Sequence, residues 1–424
     1  MKQRMGALLV GVICFALGAA FQWAYDRRRP IGSEGSRAAL IESVTPPAAK
    51  SLAAPAPPWV VDPVDRSKID FTKQPLWAWG ATEPPQPDTK QAVQGAPGVG
   101  RGRGQNANLT PEELSRKRRA SGSTIELSLA DIRAAANAAG GNVVDWFPDD
   151  HPSPMPTIIR RGPAALGKDT RACGSCHLAD GSGRPENASP AGLPAGYIVR
   201  QLTDFRAGLR HNADPRKGNS NTMVMLAKAM SDDEMREAAN YFSAVPWRPH
   251  VQVVETRLVP KTRIQGELFI PTAKERTEPI GTRIIEVPAD VEQSQTLRSA
   301  HGTWIAYVPV GAIKRGKDLV TTGGMKVVNG QILQGKTTAC GTCHGKDLMG
   351  VPPDVPPLAG RSPSYLAREI FDIQQQARIG SNSNNELMRM VVEHLTPEDI
   401  VNITAYLASR PIVAAPSDQL EARR

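Results

Sequence analysis

The stretches Cys173-Gly174-Ser175-Cys176-His177 and Cys340-Gly341-Thr342-Cys343-His344 share one pattern, two cysteines three positions apart with a histidine directly after the second. Covalent haem attachment requires this spacing. Each thiol can add to one vinyl group as a thioether, and the histidine is then held under the iron as its proximal ligand. The chain has 5 cysteines, and all but Cys14 lie in the two motifs. A shared zinc site or redox dithiols also use Cys-x-x-Cys pairs. Zinc, however, needs no histidine directly after each pair, and redox dithiols sit in a strand-rich α/β pattern that is missing here. Two covalently attached haem c groups are therefore expected, one at Cys173, Cys176 and His177, the other at Cys340, Cys343 and His344.

The repeat extends well past the cysteines. Ala191-Gly192 precedes Tyr197 as Ala359-Gly360 precedes Tyr365. Each half then reads Tyr-x-x-Arg-x-x-x-Asp, as Tyr197, Arg200, Asp204 and as Tyr365, Arg368, Asp372, in segments with helical periodicity. Later Met230-Ser231-Asp232-Asp233-Glu234 aligns with Leu395-Thr396-Pro397-Glu398-Asp399. Ser231 and Thr396 are expected to cap final helices that carry carboxylates in their first turn. Arg200, Arg368, Tyr197 and Tyr365 can hydrogen-bond haem propionates, since Arg suits carboxylates; the alternative is a solvated helix face for each Arg and a core ring for each Tyr.

A histidine-bound iron needs a second axial ligand or an open position. Thioether sulfur raises the potential and suits electron transfer. Met223 and Met225 stand before Met230 as Met388 and Met390 stand before Leu395. Two residues apart, the members of each pair cannot both face one iron. His211 and His394 are competing ligands that would give bis-histidine coordination.

With CGSCH, TMVMLAKAMSDDEMREAANYF, CGTCH and LMRMVVEHLTPEDIVNITAYL, the chain resembles class I cytochromes c, specifically the tandem di-haem group, over roughly Met155 to Pro246 and Gly316 to Pro411. In that family the ligand methionine sits about seven residues before the start of the last helix. The resemblance thus implies iron ligation by His177 with Met223 and by His344 with Met388, leaving Met225 and Met390 as apolar packing. The first unit departs from the pattern in having Met230 in place of leucine.

Gly6 to Tyr25 is about twenty residues without charge, long enough to span a bilayer. Lys2 and Arg4 before it favour export of the chain beyond Tyr25, although Arg27-Arg28-Arg29 puts positive charge on the far side too. Its length and its closing Phe21, Trp23 and Tyr25 favour an uncleaved anchor over a cleaved signal peptide. Cys14 reads as a small apolar residue of this span. The expected fold is mainly α: an anchor over 1–30, a disordered Pro/Gly/Ala-rich tether over 31–125, and a first cytochrome domain over 126–250. A strand-containing connector over 251–307, a second cytochrome domain over 308–413 and a polar tail over 414–424 complete it. Trp59, Trp77 and Trp79 can pin parts of the tether to the folded body. Thr110-Pro111-Glu112-Glu113 resembles a helix start, and a helix capped by Ser128 and stopped by Gly140-Gly141 is expected to open the ordered part.

Aromatic residues make up only 5% of the 424, with 37 Gly and 37 Pro, which suits a fold organised around a large apolar cofactor. The net charge of +9 is spread along the chain without a basic stripe interleaved with aromatics, so a nucleic-acid partner is not expected. The expected function is electron transfer by a di-haem c-type cytochrome on the periplasmic side of the inner membrane of a Gram-negative bacterium. It would act as a carrier or as the cytochrome subunit of a dehydrogenase or respiratory complex. Partners are then redox proteins: a periplasmic or membrane dehydrogenase, a terminal oxidase or other cytochromes, with the membrane engaged through the N-terminal helix. The alternative is a di-haem peroxidase in which one haem opens a position; equivalent methionines in both units argue against it. The connector shows no catalytic set and reads as a spacer or a docking surface.

Overall fold

The computed structural model describes residues 109–137, 143–214, 217–265, 267–272 and 277–412. The apolar leader with Cys14, the three tether tryptophans, Gly140-Gly141 and the polar tail lie outside them. Among the described residues no helix is long and apolar enough to cross a membrane.

Order begins earlier than the tether boundary at 125 predicts. Helix α1 (Pro111–Ser115) is closed by a capping box in which Glu113 N–H donates to Thr110 Oγ1 and Thr110 N–H donates back to Glu113 Oε2 at 2.8 Å. Strand β1 (Lys117–Arg118) pairs with β2 (Leu127–Ser128), and α2 (Leu129–Asn137) comes next, its Asp131 N–H donating to Ser128 Oγ. The physical reason for the early order is apolar. Leu109, Leu114, Ile125 and Leu127 pack on a buried cluster of Leu129, Ile132, Val144, Trp146 and Leu297. Trp146 Nε1 donates to the Leu297 carbonyl at 2.7 Å, tying this segment to the connector.

The first unit comprises α3 (Thr157–Arg161), α4 (Cys173–His177), α5 (Ala195–Ala207), α6 (Gly218–Ala229) and α7 (Asp232–Ala244). Helix α5 buries Tyr197, Ile198, Gln201, Leu202 and Phe205, a stripe at helical spacing that faces Ile158, Ile159, Met235 and Phe242. Helix α7 starts with the expected Ser231 cap, reciprocated by Glu234.

The connector holds β3 (Val251–Thr256), β4 (Leu258–Pro260), β5 (Thr262–Gln265), β6 (Leu268–Pro271), β7 (Thr277–Pro279), β8 (Ile285–Pro288) and β9 (Trp304–Pro309). Its main sheet has the order β3-β9-β8, with β3 parallel to β9 from Val251↔Trp304 to Thr256↔Pro309. A parallel pair needs a long crossover, and the intervening strands supply it. Val259, Phe269, Ile280, Ile285 and Val287 form its core. The connector is more than a spacer: buried Glu286 of β8 accepts from Ser362 Oγ at 2.8 Å, the residue that caps the next unit's central helix.

The second unit comprises α8 (Ala312–Thr322), the hairpin β10 (Lys326–Val328) and β11 (Gln331–Leu333), α9 (Gly341–His344), α10 (Pro363–Gln374), α11 (Ser383–Val392) and α12 (Pro397–Ala408). Helices α8 and α12 meet at Gly316, where a Cβ would stand 1.8 Å from the Asn402 carbonyl oxygen. Only glycine permits that approach. Helices α5, α6 and α7 of the first unit thus recur as α10, α11 and α12.

Candidate functional site: two cavities with a shared wall

Each Cys-x-x-Cys-His motif forms one helical turn, which brings its two thiols and its histidine to one side of a cavity. In the first unit His177 Nδ1 lies 2.8 Å from the Ala188 carbonyl; in the second, His344 Nδ1 lies 2.9 Å from the Pro356 carbonyl. A carbonyl can only accept, so Nδ1 carries the proton and Nε2 keeps its lone pair for a metal. Burial holds both imidazoles below their ordinary pKa, which favours the neutral form a ligand needs. The backbone around the rings repeats as well: Gly183 N–H donates to the His177 carbonyl and Gly350 N–H to the His344 carbonyl, each at 2.9 Å.

The first cavity, about 160 Å³, is lined by Cys173, Cys176, His177, Leu202, Met223 and Phe242. The second, about 270 Å³, is lined by Cys340, Cys343, His344, Ile370, Met388 and Leu407. Met225 and Met390 line neither, and Met390 is half exposed. His211 lines the first cavity, whereas His394 is exposed beside Glu393 and lines neither.

Tyr197, Gln201, Tyr365 and Glu369 line both cavities, so one wall serves two sites. The arginines picked out by the repeat are exchanged across it. Arg200 of the first unit lines the second cavity and pairs with Asp354, while Arg368 of the second unit lines the first cavity and donates to the Pro185 carbonyl. At the centre Arg210 donates to Gln201 Oε1 (2.9 Å) and to both oxygens of Glu369 (2.7 and 2.9 Å). Arg378 donates to Tyr197 Oη (2.6 Å), Gln201 Oε1 (2.9 Å) and Glu369. The backbones of Arg210 and Arg378 also form an antiparallel bridge with each other.

The sequence reading missed Arg210, Arg361, Arg378 and Glu369. A signal for two of them existed: Arg210 follows Asp204 at the distance by which Arg378 follows Asp372.

The donor set and the charge balance of this wall fit haem. Arg210, Arg361, Arg368 and Arg378 are all buried. Arg361 donates to the carbonyls of Ser189 (2.5 Å) and Ala191 (3.0 Å) and lies 4.4 Å over the Trp247 ring, and among the described residues it has no carboxylate partner. Burial draws it down to about 10. Such a surplus of buried guanidinium awaits carboxylates from a bound group, as two pairs of propionates would supply.

The cytochrome c family model matches residues 161–245 and again 327–411. The chain is 26% identical over 249 residues to the thiosulfate dehydrogenase electron acceptor of Stutzerimonas stutzeri, a match covering 58% of this chain and 80% of that one. It is 33% identical over 92 residues to cytochrome c4 of Azotobacter vinelandii, over 20% of this chain and 44% of that one. It is 37% identical over 75 residues to cytochrome c-554(548) of Halomonas halodenitrificans, over 18% of this chain and 88% of that one. Two matched segments, each with its own attachment motif, cavity and methionine-bearing helix, make the chain a member of the cytochrome c family: a tandem class I cytochrome c with two covalently bound haem c groups, acting in electron transfer.

Proposed function

We propose that each haem is closed by methionine, His177 with Met223 and His344 with Met388, and that the protein relays electrons rather than transforming a substrate. The observation that carries this reading is the repeated lining of each cavity by an attachment loop and by one methionine of the corresponding helix. Cys173, Cys176, Cys340 and Cys343 would hold the groups as thioethers. Bound haem c supplies a reversible one-electron change at iron. The chain's own residues do the rest. The carbonyls of Ala188 and Pro356 fix the imidazole tautomers, apolar side chains exclude water, and the exchanged arginines offset propionate charge, with Tyr197 and Tyr365 as hydrogen-bonding groups of the shared wall.

The Stutzerimonas relative, by its name an electron acceptor for a dehydrogenase, supports a similar role here: accepting electrons from a dehydrogenase and passing them to a further cytochrome or a terminal oxidase. We further propose that residues 1–30 anchor the chain in the inner membrane of a Gram-negative cell, with the haem units in the periplasm. Haem attachment at Cys-x-x-Cys-His and the uncharged Gly6 to Tyr25 stretch support this.

Two variants test the coordination. Met223→Ala and Met388→Ala should each leave both haems attached, abolish half of the weak methionine-to-iron charge-transfer band of the oxidised protein, and lower the potential of one haem. An unchanged spectrum in either variant would remove that methionine from the iron.

A further inference from the structure

The methionine-bearing helices of the two units are held alike at one end and differently at the other. At the C-terminal end of α6, Arg206 donates to the carbonyls of Ala227 (3.3 Å) and Met230 (2.9 Å). Gln374, at the equivalent place in α10, donates from Nε2 to the carbonyl of Val392 at the end of α11 (2.8 Å) and to that of Leu395 beyond it (2.7 Å). Both side chains satisfy acceptors that a helix end leaves open.

The N-terminal ends differ. Glu267, the connector residue just before β6, accepts from Gly218 N–H at 3.0 Å and pairs with Lys217 Nζ at 2.9 Å. The carboxylate thus meets a free helix N–H and the positive end of the helix dipole. Lys217 is almost wholly buried and lines the first cavity, in which Met223 stands between one and two turns further along α6. Glu267 holds a left-handed φ of 68°, a conformation that non-glycine residues keep where surrounding contacts fix them. Helix α11 is preceded by Asn382 at its N-cap, whose side chain makes no capping bond.

We propose that Glu267 is a positioning residue for Met223, so that the connector clamps the ligand helix of the first haem and keeps that iron closed more firmly than the second. This rests on the reading of Met223 as axial ligand. A rigid helix start limits the swing that would carry the thioether away, and an incoming ligand must wait for that swing. The second unit has the C-terminal clamp, and among the described residues no carboxylate caps the start of its helix α11 as Glu267 caps α6.

The test uses the full-length oxidised di-haem protein and imidazole as the incoming ligand, with binding followed by absorbance after rapid mixing. Met223→Ala identifies which kinetic phase belongs to the first haem. Glu267→Ala should accelerate that phase on the order of tenfold, the size expected when a group supporting a metal ligand is removed, and leave the other phase unchanged. Glu267→Gln, which keeps an acceptor for Gly218 N–H but loses the ion pair, should give an intermediate acceleration confined to the same phase. It decides the matter alone if the alanine variant does not accumulate with two haems. Should Met223→Ala leave spectrum and kinetics unaltered, the axial reading fails and the proposal with it. If Met223→Ala opens the first iron but both Glu267 variants leave the first phase unchanged, or speed both phases equally, the positioning role alone is wrong.

Discussion

Asp372, a buried side chain lining the first cavity, shows how one group couples stability to pH. It accepts from Ala213 N–H at 2.7 Å and from Asn212 Nδ2 at 3.1 Å. Burial first, and the nearby Glu369 carboxylate second, push its carboxyl up to about 8. In an unfolded chain the same group titrates near ~3.9. The folded state therefore binds this proton more tightly, and the stability it contributes is present below that lower value and lost as pH rises through about 8. Asp372→Asn should flatten the loss: between about pH 5 and pH 8 the parent's melting temperature should fall relative to the variant's. Parallel curves would contradict the burial argument. At this scale the attachment residues were legible because their chemistry is local, compressed into five consecutive positions. The exchange of Arg200 and Arg368 between cavities was not, because it depends on how two units distant in sequence pack together.

Among the elements, packing of α8 on α12 is the most demanding contact. A methyl group at Gly316 would meet the Asn402 carbonyl oxygen and, at 2.9 Å, Tyr406 Cβ. A backbone carbonyl within a helix cannot rotate aside, so Gly316→Ala should force the helices apart and cost about 1–3 kcal/mol, as overpacking does. Thermal denaturation followed by circular dichroism measures it; an unchanged melting temperature would show that the two helices separate freely. The paired final helices and their Ser231 and Thr396 caps could be read from sequence, since capping residues and helical stripes are short-range signals. The hairpin of β10 and β11 was missed although Asn329-Gly330, both at positive φ, carries a hairpin turn signal. Parallel pairing of β3 with β9 had no such signal, because no local residue pattern records a partner some fifty positions away. Helix α1 was read at its start, yet its docking onto Trp146 and Leu297 could not be, since a Pro- and Gly-rich surrounding composition masked its few apolar anchors.

In the molecule as a whole, duplication and divergence are both visible. Two copies of one haem-binding unit share a wall of tyrosines, arginines and Glu369, which places their cofactor cavities side by side. The connector adds what the repeat lacks: it supports α10 through Glu286 of its main sheet and α6 through Glu267, just before β6. Function was legible to the extent that two attachment motifs in a repeated unit imply a di-haem cytochrome c acting in electron transfer. The identity of the partners was not, because docking is written in surfaces rather than in motifs. The central claim is that both irons are closed, and rapid mixing of the oxidised full-length protein with cyanide tests it most directly. Two low-spin haems that retain the methionine charge-transfer band and bind cyanide slowly are the predicted result. One high-spin haem that binds cyanide at once would contradict it and identify an open, peroxidase-type site.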